Sequence, residues 1–323
     1  MKNWINRLRG NADNTPATPA GPQAATADEQ AAGLAAEIES TYYRWLTAAR
    51  AYTAPAEVET RILDEVRILG LQPGEAAGLV PRVPEAIPEL LASLNDGDAS
   101  IAELARQVAQ DVVLVAEVIR EANSAYYRPI APVKNVEAAI MMLGQNGLRM
   151  LLARVAFRPL INMQAGGFAR EAAPQVWNQS VSCALAASLM APGLSTGVFE
   201  AYLAGLMQNV GLVVAFRLAD RVCDDGRIPG ASGFGARLLA GSRQLSAAIA
   251  VHWNFPQEVA QAIAQAGEPG ANRLAEALAL GDRIAKLRLL IDAGLLAEDD
   301  SLVTEGLDNV QRRCLGKLAK LEG

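Results

Sequence analysis

Apolar side chains recur at intervals of three and four residues along most of this chain, which is the spacing of amphipathic helices. Leu34, Ile38 and Tyr42 begin one such series, and a second series covers residues 58–69. Ala and Leu are also visibly more frequent than Thr, Tyr and Phe, a bias that favours helices over strands. The pattern therefore predicts an all-α protein with very little sheet.

Shorter apolar series predict a row of further helices after residue 79. Ser100 with Glu103 predicts a capping box at one helix start, and Gly144 and Gly147 interrupt a later helix. The stretch Phe199–Leu218 is apolar almost all round, so we expect it to be the central, most buried helix of the protein. Helices are also predicted within residues 87–94, 101–108, 111–122, 135–161, 177–190, 238–253, 257–266, 273–291 and 302–321.

The N-terminal part of the chain differs in composition from the rest. Residues 1–32 contain three prolines and few large apolar side chains, so they cannot offset the entropy of ordering. We expect a flexible segment at 1–32, followed by a small accessory helical unit at 33–70. The Pro- and Gly-containing stretch 71–81 marks the next boundary.

The charge balance argues against direct nucleic-acid binding. The formal net charge is −6, so the field of the protein repels phosphate backbones. Residues 1–10 are basic, and whether they contact a membrane surface stays open. Because Gln208 and Asn209 interrupt the apolar run Ala201–Phe216, we expect no stable membrane insertion.

Cysteine and histidine usage narrows the possible chemistry. The three cysteines form no CxxC pair, which favours buried thiols in a reducing compartment, and we expect a cytoplasmic protein. His252 is the single histidine, so the chain has no His cluster and no two-His zinc motif. It follows Ile249 by three residues on an apolar helix face. We expect it to be buried, with a catalytic or pH-responsive role as the alternatives.

Four short segments between residues 79 and 266 occur in a characteristic order. They are Val80–Pro84 (VPRVP), Glu121–Tyr127 (EANSAYY), Ala138–Ile140 with Leu143–Gly144, and Trp177–Ser180 followed by Ala204–Gly211.

Together these segments resemble the HDOD family, a branch of the HD superfamily that usually lacks the metal-dependent phosphohydrolase site. The resemblance implies a multi-helix HD-like bundle at residues 79–266, with residues 267–323 as a C-terminal helical extension. It also implies a bacterial protein of signal transduction, a role that rests on the family alone.

The resemblance implies an altered metal site. Gln179 takes the position of a ligating His, Gln208 and Asn209 replace the His-Asp pair, and Asp282 corresponds to the last ligand. A neutral amide oxygen binds divalent metals weakly compared with imidazole or carboxylate, and one carboxylate cannot hold a dinuclear centre. We therefore expect a pseudoenzyme without metal or cofactor.

Buried amides in an apolar helix must find hydrogen-bond partners. Gln208 and Asn209 are interpreted either as a relic that fixes helix docking or as part of a cleft that still binds a nucleotide second messenger. Five other residues are candidates for ligand or partner contacts, although the arginines alone are also typical of a solvated helix face. They are Asn123, Ser124, Arg149, Arg154 and Arg158.

The sequence thus favours a non-enzymatic regulatory protein that acts as a helical platform for other signalling proteins. Two alternatives remain open at this point. One is a sensor that binds a nucleotide second messenger in the relic cleft, and the other is a residual phosphohydrolase that uses Asp282 and Asp220.

Overall fold

The fold is described from a computed structural model. The predicted helix at 87–94, Asp111 and residues 1–26 lie outside the part of the chain that the structure describes. The described residues are 27–48, 50–80, 100–109, 112–124, 127–161, 167–223 and 226–319.

Helices make up 77% of the described structure, so the predicted all-α class is confirmed. The only strands in these ranges are two-residue segments that pair in parallel, with Ala51 opposite Ile228 and Tyr52 opposite Pro229. The elements are α1 (Ala27–Thr47), β1 (Ala51–Tyr52), α2 (Ala56–Leu71), α3 (Pro73–Gly78), α4 (Ile101–Val108), α5 (Val112–Ala122), α6 (Val136–Ile161), α7 (Gly167–Met190), a 3₁₀ turn (Ala191–Leu194), α8 (Val198–Met207), α9 (Val210–Val222), β2 (Ile228–Pro229), α10 (Ser232–His252), α11 (Gln257–Gln265), α12 (Arg273–Asp292), α13 (Ser301–Thr304) and α14 (Asn309–Leu318).

Helix α1 begins inside the segment that was expected to be flexible. It starts at Ala27, so the expectation is wrong for residues 27–32. The stretch ADEQAA consists mostly of good helix formers, and the apolar series after it continues the same helix.

The first two helices belong to the main bundle. Tyr42 and Tyr43 of α1 and Ile62 of α2 lie in the same apolar core as Phe216 and Leu245. Tyr43 also donates a buried hydrogen bond of 2.7 Å to the carbonyl of Pro229. The predicted accessory unit is therefore packed as part of the bundle, because its apolar side chains are covered by helices from the second half of the chain.

Helix α6 bends where the sequence predicts an interruption. Gly144 has φ 66° and ψ 176°, a backbone conformation that favours glycine, whereas the helix continues through Gly147. The predicted capping box is also present, since Glu103 N donates to Ser100 Oγ and Ser100 N donates to Glu103 Oε2.

The predicted central helix is buried as expected, but it is divided into α8 and α9. Ser246 of α10 lies at the break, where its hydroxyl donates to the carbonyl of Gln208 at 2.6 Å and accepts from the N–H of Gly211 at 2.8 Å. These backbone groups are thereby satisfied outside the regular helical ladder. A Cβ added to Gly211 would lie 2.2 Å from the carbonyl oxygen of Ser242, so the approach requires glycine.

The same segment, Val198–Val222, is long and apolar enough to cross a membrane by length and composition. However, 83% of its most apolar window is buried inside the protein. Burial of this kind is typical of a central helix in a globular bundle.

Candidate functional site

Close helix packing brings the candidate site residues together. A Cβ added to Gly205 of α8 would lie 2.5 Å from the Cα of Ala184 on α7, and one added to Gly281 of α12 would lie 2.6 Å from the backbone nitrogen of Ala187. Only residues without a side chain fit at these positions. Helix α7 is therefore held tightly between α8 and α12, and polar side chains on the facing surfaces reach one another.

Gln179 of α7 joins the turn between α8 and α9 to helix α12. Its Oε1 accepts a hydrogen bond from Asn209 Nδ2, and its Nε2 donates to Asp282 Oδ1 at 2.5 Å. Asn209 Nδ2 also donates to Ser180 Oγ at 2.9 Å. Gln179 is fully buried and Asn209 is half-buried, so this network approaches the surface at Asn209.

Asp282 is the acceptor on which the network converges. Oδ1 also accepts from Gln208 Nε2 at 3.0 Å, and Oδ2 accepts from Lys286 Nζ at 2.7 Å. Burial raises the pKa of Asp282, but the charges of Lys286 and Arg243 and the hydrogen bonds lower it by more, so its pKa lies below the usual 3.8. The carboxylate is ionised at neutral pH and accepts only, which requires both glutamines to turn N–H groups toward it.

Lys286 connects Asp282 to a second carboxylate on α1. Its Nζ lies 2.6 Å from Glu39 Oε1, and Arg243 NH2 of α10 lies 3.5 Å from the same oxygen. Burial lowers the pKa of Lys286, but the two carboxylates raise it by more, so its pKa lies above the usual 10.5. Two carboxylates and two cations thus face one another across α1, α10 and α12.

Cys183 and Tyr42 border this charged group. Gln208 Nε2 donates to Cys183 Sγ at 2.9 Å, and burial raises the pKa of the Cys183 thiol well above its usual value. Lys286 Nζ lies 5.2 Å from the centre of the Tyr42 ring. The Tyr42 hydroxyl and Glu39 Oε2 are buried without a hydrogen-bond partner among the described residues.

The residues present do not fit the divalent metal of a catalytic HD site. Metal ligands must present lone pairs, whereas Gln179 and Gln208 present N–H groups to Asp282, and both carboxylate oxygens of Asp282 already accept hydrogen bonds. Within the described ranges, no group of three or more His, Cys, Asp or Glu side chains could hold a metal ion.

The remaining candidate residues have contacts outside this network. Asn123 exchanges hydrogen bonds with the backbone of Val133, and Ser124 has a buried hydroxyl. Arg149 lies 3.9 Å from the centre of the Phe199 ring, and Arg154 pairs with Glu121. Arg158 is exposed. The structure therefore gives the three arginines different surroundings.

His252 is exposed, so the prediction that it is buried is wrong. Leu245 and Ile249 of the same helix face are fully buried, but His252 is the last residue of α10 and its neighbour Val251 is 60% exposed. The apolar spacing continues past the point where other helices cover α10. The imidazole lies beside Gly74 of α3.

Sequence reasoning missed Lys286, Glu39 and Arg243 as members of the network. Lys286 has a local signal, because it follows Asp282 by four residues in a helix whose neighbouring residues Ile284, Ala285 and Leu287 are apolar. Glu39 has none, since 247 positions separate it from Lys286.

The helical bundle thus brings Gln179, Gln208, Asn209 and Asp282 into one hydrogen-bonded network. Residues 80–269, more than half of the chain, match the family model of the HDOD domain, and the chain belongs to this family. The resemblance inferred from the sequence is confirmed.

Solved structures with this fold come from several bacteria. An HDOD domain protein with unknown function from Geobacter sulfurreducens has 20% identity and a TM-score of 0.53, with 79% of this chain and 94% of that chain covered. A Shewanella amazonensis SB2B protein, provisionally named a metal-dependent phosphohydrolase, has 18% identity and a TM-score of 0.57, with 82% and 99% covered. A Marinobacter aquaeolei VT8 protein, provisionally named a signal transduction protein, has 21% identity and a TM-score of 0.51, with 89% and 63% covered.

One curated relative is an uncharacterized protein of Treponema pallidum (strain Nichols). It is 24% identical over 193 residues, which is 57% of this chain and 37% of that relative. The chain thus aligns with little more than a third of that protein's length.

Proposed function

We propose that this HDOD protein is a non-enzymatic component of signal transduction whose helical bundle serves as a platform for other proteins. The non-enzymatic part of the proposal rests on the hydrogen bonds that the carboxylate of Asp282 accepts. Its two oxygens accept from Gln179, Gln208 and Lys286, which leaves the carboxylate committed to internal contacts.

Metal-assisted phosphate hydrolysis requires an ion that lowers the pKa of a bound water and polarises the phosphoryl group. The amides of this site supply neither the charge nor the geometry that holds such an ion. A general base is no easier to assign, because the single imidazole, His252, stands at the exposed end of α10. The chemistry of these residues supports a structural role for the network.

The platform role has support from the fold and from the surface. The network ties α7, α8, α9 and α12 together, so the bundle can present a fixed shape. Large apolar side chains are exposed on α6 and in the loop before it, including Ile130, Met141 and Met142. Exposed Met is common at protein-binding surfaces. The provisional name of the Marinobacter structure is consistent with signalling.

The enzyme hypothesis is tested on the purified protein. Elemental analysis for Mn, Fe, Zn and Mg is combined with phosphodiesterase and nucleotidase assays across added metals, on the wild type, Asp282→Ala and the double variant Gln208→His, Asn209→Asp. We expect no stoichiometric metal and no turnover above background in the wild type. Metal-dependent turnover that disappears in Asp282→Ala would show that the protein is a residual phosphohydrolase.

Thermal shift against a panel of nucleotides and cyclic dinucleotides distinguishes a nucleotide sensor from a protein platform, because a ligand that binds the folded state raises the Tm. We expect no shift, since Gln179 and Gln208 are at most 3% exposed. A saturable shift that Asn209→Ala removes would favour the sensor.

The platform role is tested by native affinity purification of the wild type and of the matched variant Met141→Gln, Met142→Gln. Partners that both proteins retain equally would place the contact elsewhere.

A further inference from the structure

We propose that the ammonium group of Lys286 is a tethered cation that occupies a cation site formed by the carboxylates of Asp282 and Glu39. The inference rests on the proposed function, because it explains how an HD-like site is stable without a metal ion. It adds that the same two carboxylates bind a divalent cation once the lysine charge is removed.

The position of Lys286 is the first argument. Its Nζ lies 2.7 Å from Asp282 Oδ2 and 2.6 Å from Glu39 Oε1, so one positive charge bridges carboxylates from two helices. Lysine side chains usually extend toward water when they can, but this one is only 5% exposed. An ammonium is buried at such a position only where carboxylates compensate for its lost hydration.

The unused acceptor at Glu39 is the second argument. Glu39 Oε2 is buried and has no hydrogen-bond partner in the described part of the chain. Lys286 therefore engages one oxygen of each carboxylate, whereas a divalent cation with oxygen ligands can take both oxygens of a glutamate. The carboxylates offer more acceptor capacity than the lysine uses.

The charge balance of the site and the exposure of Glu39 are the third argument. Asp282 and Glu39 carry two negative charges that Lys286 and Arg243 balance. Without the lysine, one negative charge remains uncompensated in a buried position. Glu39 is 26% exposed, so this side of the site borders solvent. Mn²⁺ is a suitable probe because carboxylate and water ligands suit it.

The experiment compares the wild type with Lys286→Gln, which keeps a polar side chain, one atom shorter, and removes the charge. Mn²⁺ binding to the full chain is measured by electron paramagnetic resonance of the free ion at neutral pH. We expect Lys286→Gln to bind one Mn²⁺ at least tenfold more tightly than the wild type. Lys286→Arg retains a cation and should show no gain, and Lys286→Gln combined with Glu39→Gln should lose the gain.

Each result decides between the alternatives. A folded Lys286→Gln variant that binds Mn²⁺ no better than the wild type, or a gain that persists without Glu39, overturns the tethered cation and leaves the non-enzymatic function intact. Metal-dependent turnover by the wild type would instead refute the function. If Lys286→Gln is unfolded in EDTA, circular dichroism with and without MnCl₂ decides: recovery of helicity supports the proposal, and no recovery while the double variant folds contradicts it.

Discussion

Gln208 and Asp282 are 74 residues apart in the chain, and Nε2 of Gln208 lies 3.0 Å from Oδ1 of Asp282. This contact joins the turn between α8 and α9 to the middle of α12. An amide donor thus stands where the family resemblance implies a metal ligand, and it contributes to packing instead of coordination. The stability of the bundle should accordingly depend on the site.

Asp282→Ala should destabilise the protein by about 3–5 kcal/mol, because it leaves Lys286 buried with one of its two carboxylate partners. Urea denaturation followed by circular dichroism measures the free energy of unfolding. The matched control is Glu65→Ala, which breaks the exposed Arg61–Glu65 pair of the same i,i+4 spacing and should cost less than about 1 kcal/mol. Equal losses in the two variants would contradict a structural role for the buried pair.

The acid dependence of stability should report on Asp282. Its pKa is lower in the folded protein than the usual 3.8, so its contribution is present above that value and is lost as the pH falls through the folded pKa. The free energy of unfolding of the wild type should therefore decrease more steeply below about pH 4 than that of Asp282→Asn. Parallel curves for the two proteins would show that the carboxylate is not stabilised by folding.

The stability of the protein at alkaline pH should depend on Lys286. Here stability is lost as the pH rises, whereas the contribution of Asp282 is lost as the pH falls. Its pKa is raised by folding above 10.5, so its contribution is complete below 10.5 and is lost as the pH rises through the folded pKa. We expect Lys286→Met to be less sensitive than the wild type to a rise in pH above 10.5. An identical alkaline decline in both proteins would assign the loss to other groups.

Gly205→Ala should destabilise the bundle by several kcal/mol, since its Cβ would lie 2.5 Å from backbone atoms of Ala184 and the helices would have to separate. Gly33→Ala is the control, because a Cβ at this α1 position meets no atom within 4 Å and should stabilise the helix by about 0.5–1 kcal/mol. Thermal and urea unfolding measure both changes. A neutral Gly205→Ala would mean that α7 and α8 are less closely packed than described.

Cys183 should be unreactive in the folded protein, because it is fully buried and burial raises its pKa. A variant with Cys223→Ser and Cys314→Ser isolates this thiol. Its reaction with a chromogenic disulfide should be slow in buffer and should accelerate greatly in unfolding concentrations of urea. Rapid labelling of the native variant would indicate that solvent reaches the amide network.

Features that depend on neighbouring residues in the sequence were predictable. The helical class and the box at Ser100 and Glu103 follow from local spacing, and both are present. The break between α8 and α9 is different, since the hydroxyl that binds the backbone there belongs to Ser246, 35 residues beyond Gly211. No local pattern distinguishes a continuous apolar helix from one that a side chain of another helix divides.

The candidate site shows the same limit. The resemblance identified Gln179, Gln208, Asn209 and Asp282, and the structure brings these four side chains together. It could not identify Glu39, because a charge on the exposed side of a predicted helix gives no sign of a partner on α12. The prediction that His252 is buried was wrong for a related reason, since a helical period does not reveal where the covering helices end.

The position of α1 also has a consequence for biosynthesis. Glu39 precedes Lys286 by 247 residues, so at about 5–20 residues per second a ribosome makes the lysine roughly 12 to 50 seconds after the glutamate. Until α10 and α12 have left the exit tunnel, Tyr42, Tyr43 and Leu46 lack the apolar neighbours that cover them in the finished protein. During that interval the apolar face of α1 in the nascent chain lacks the cover that the later helices provide.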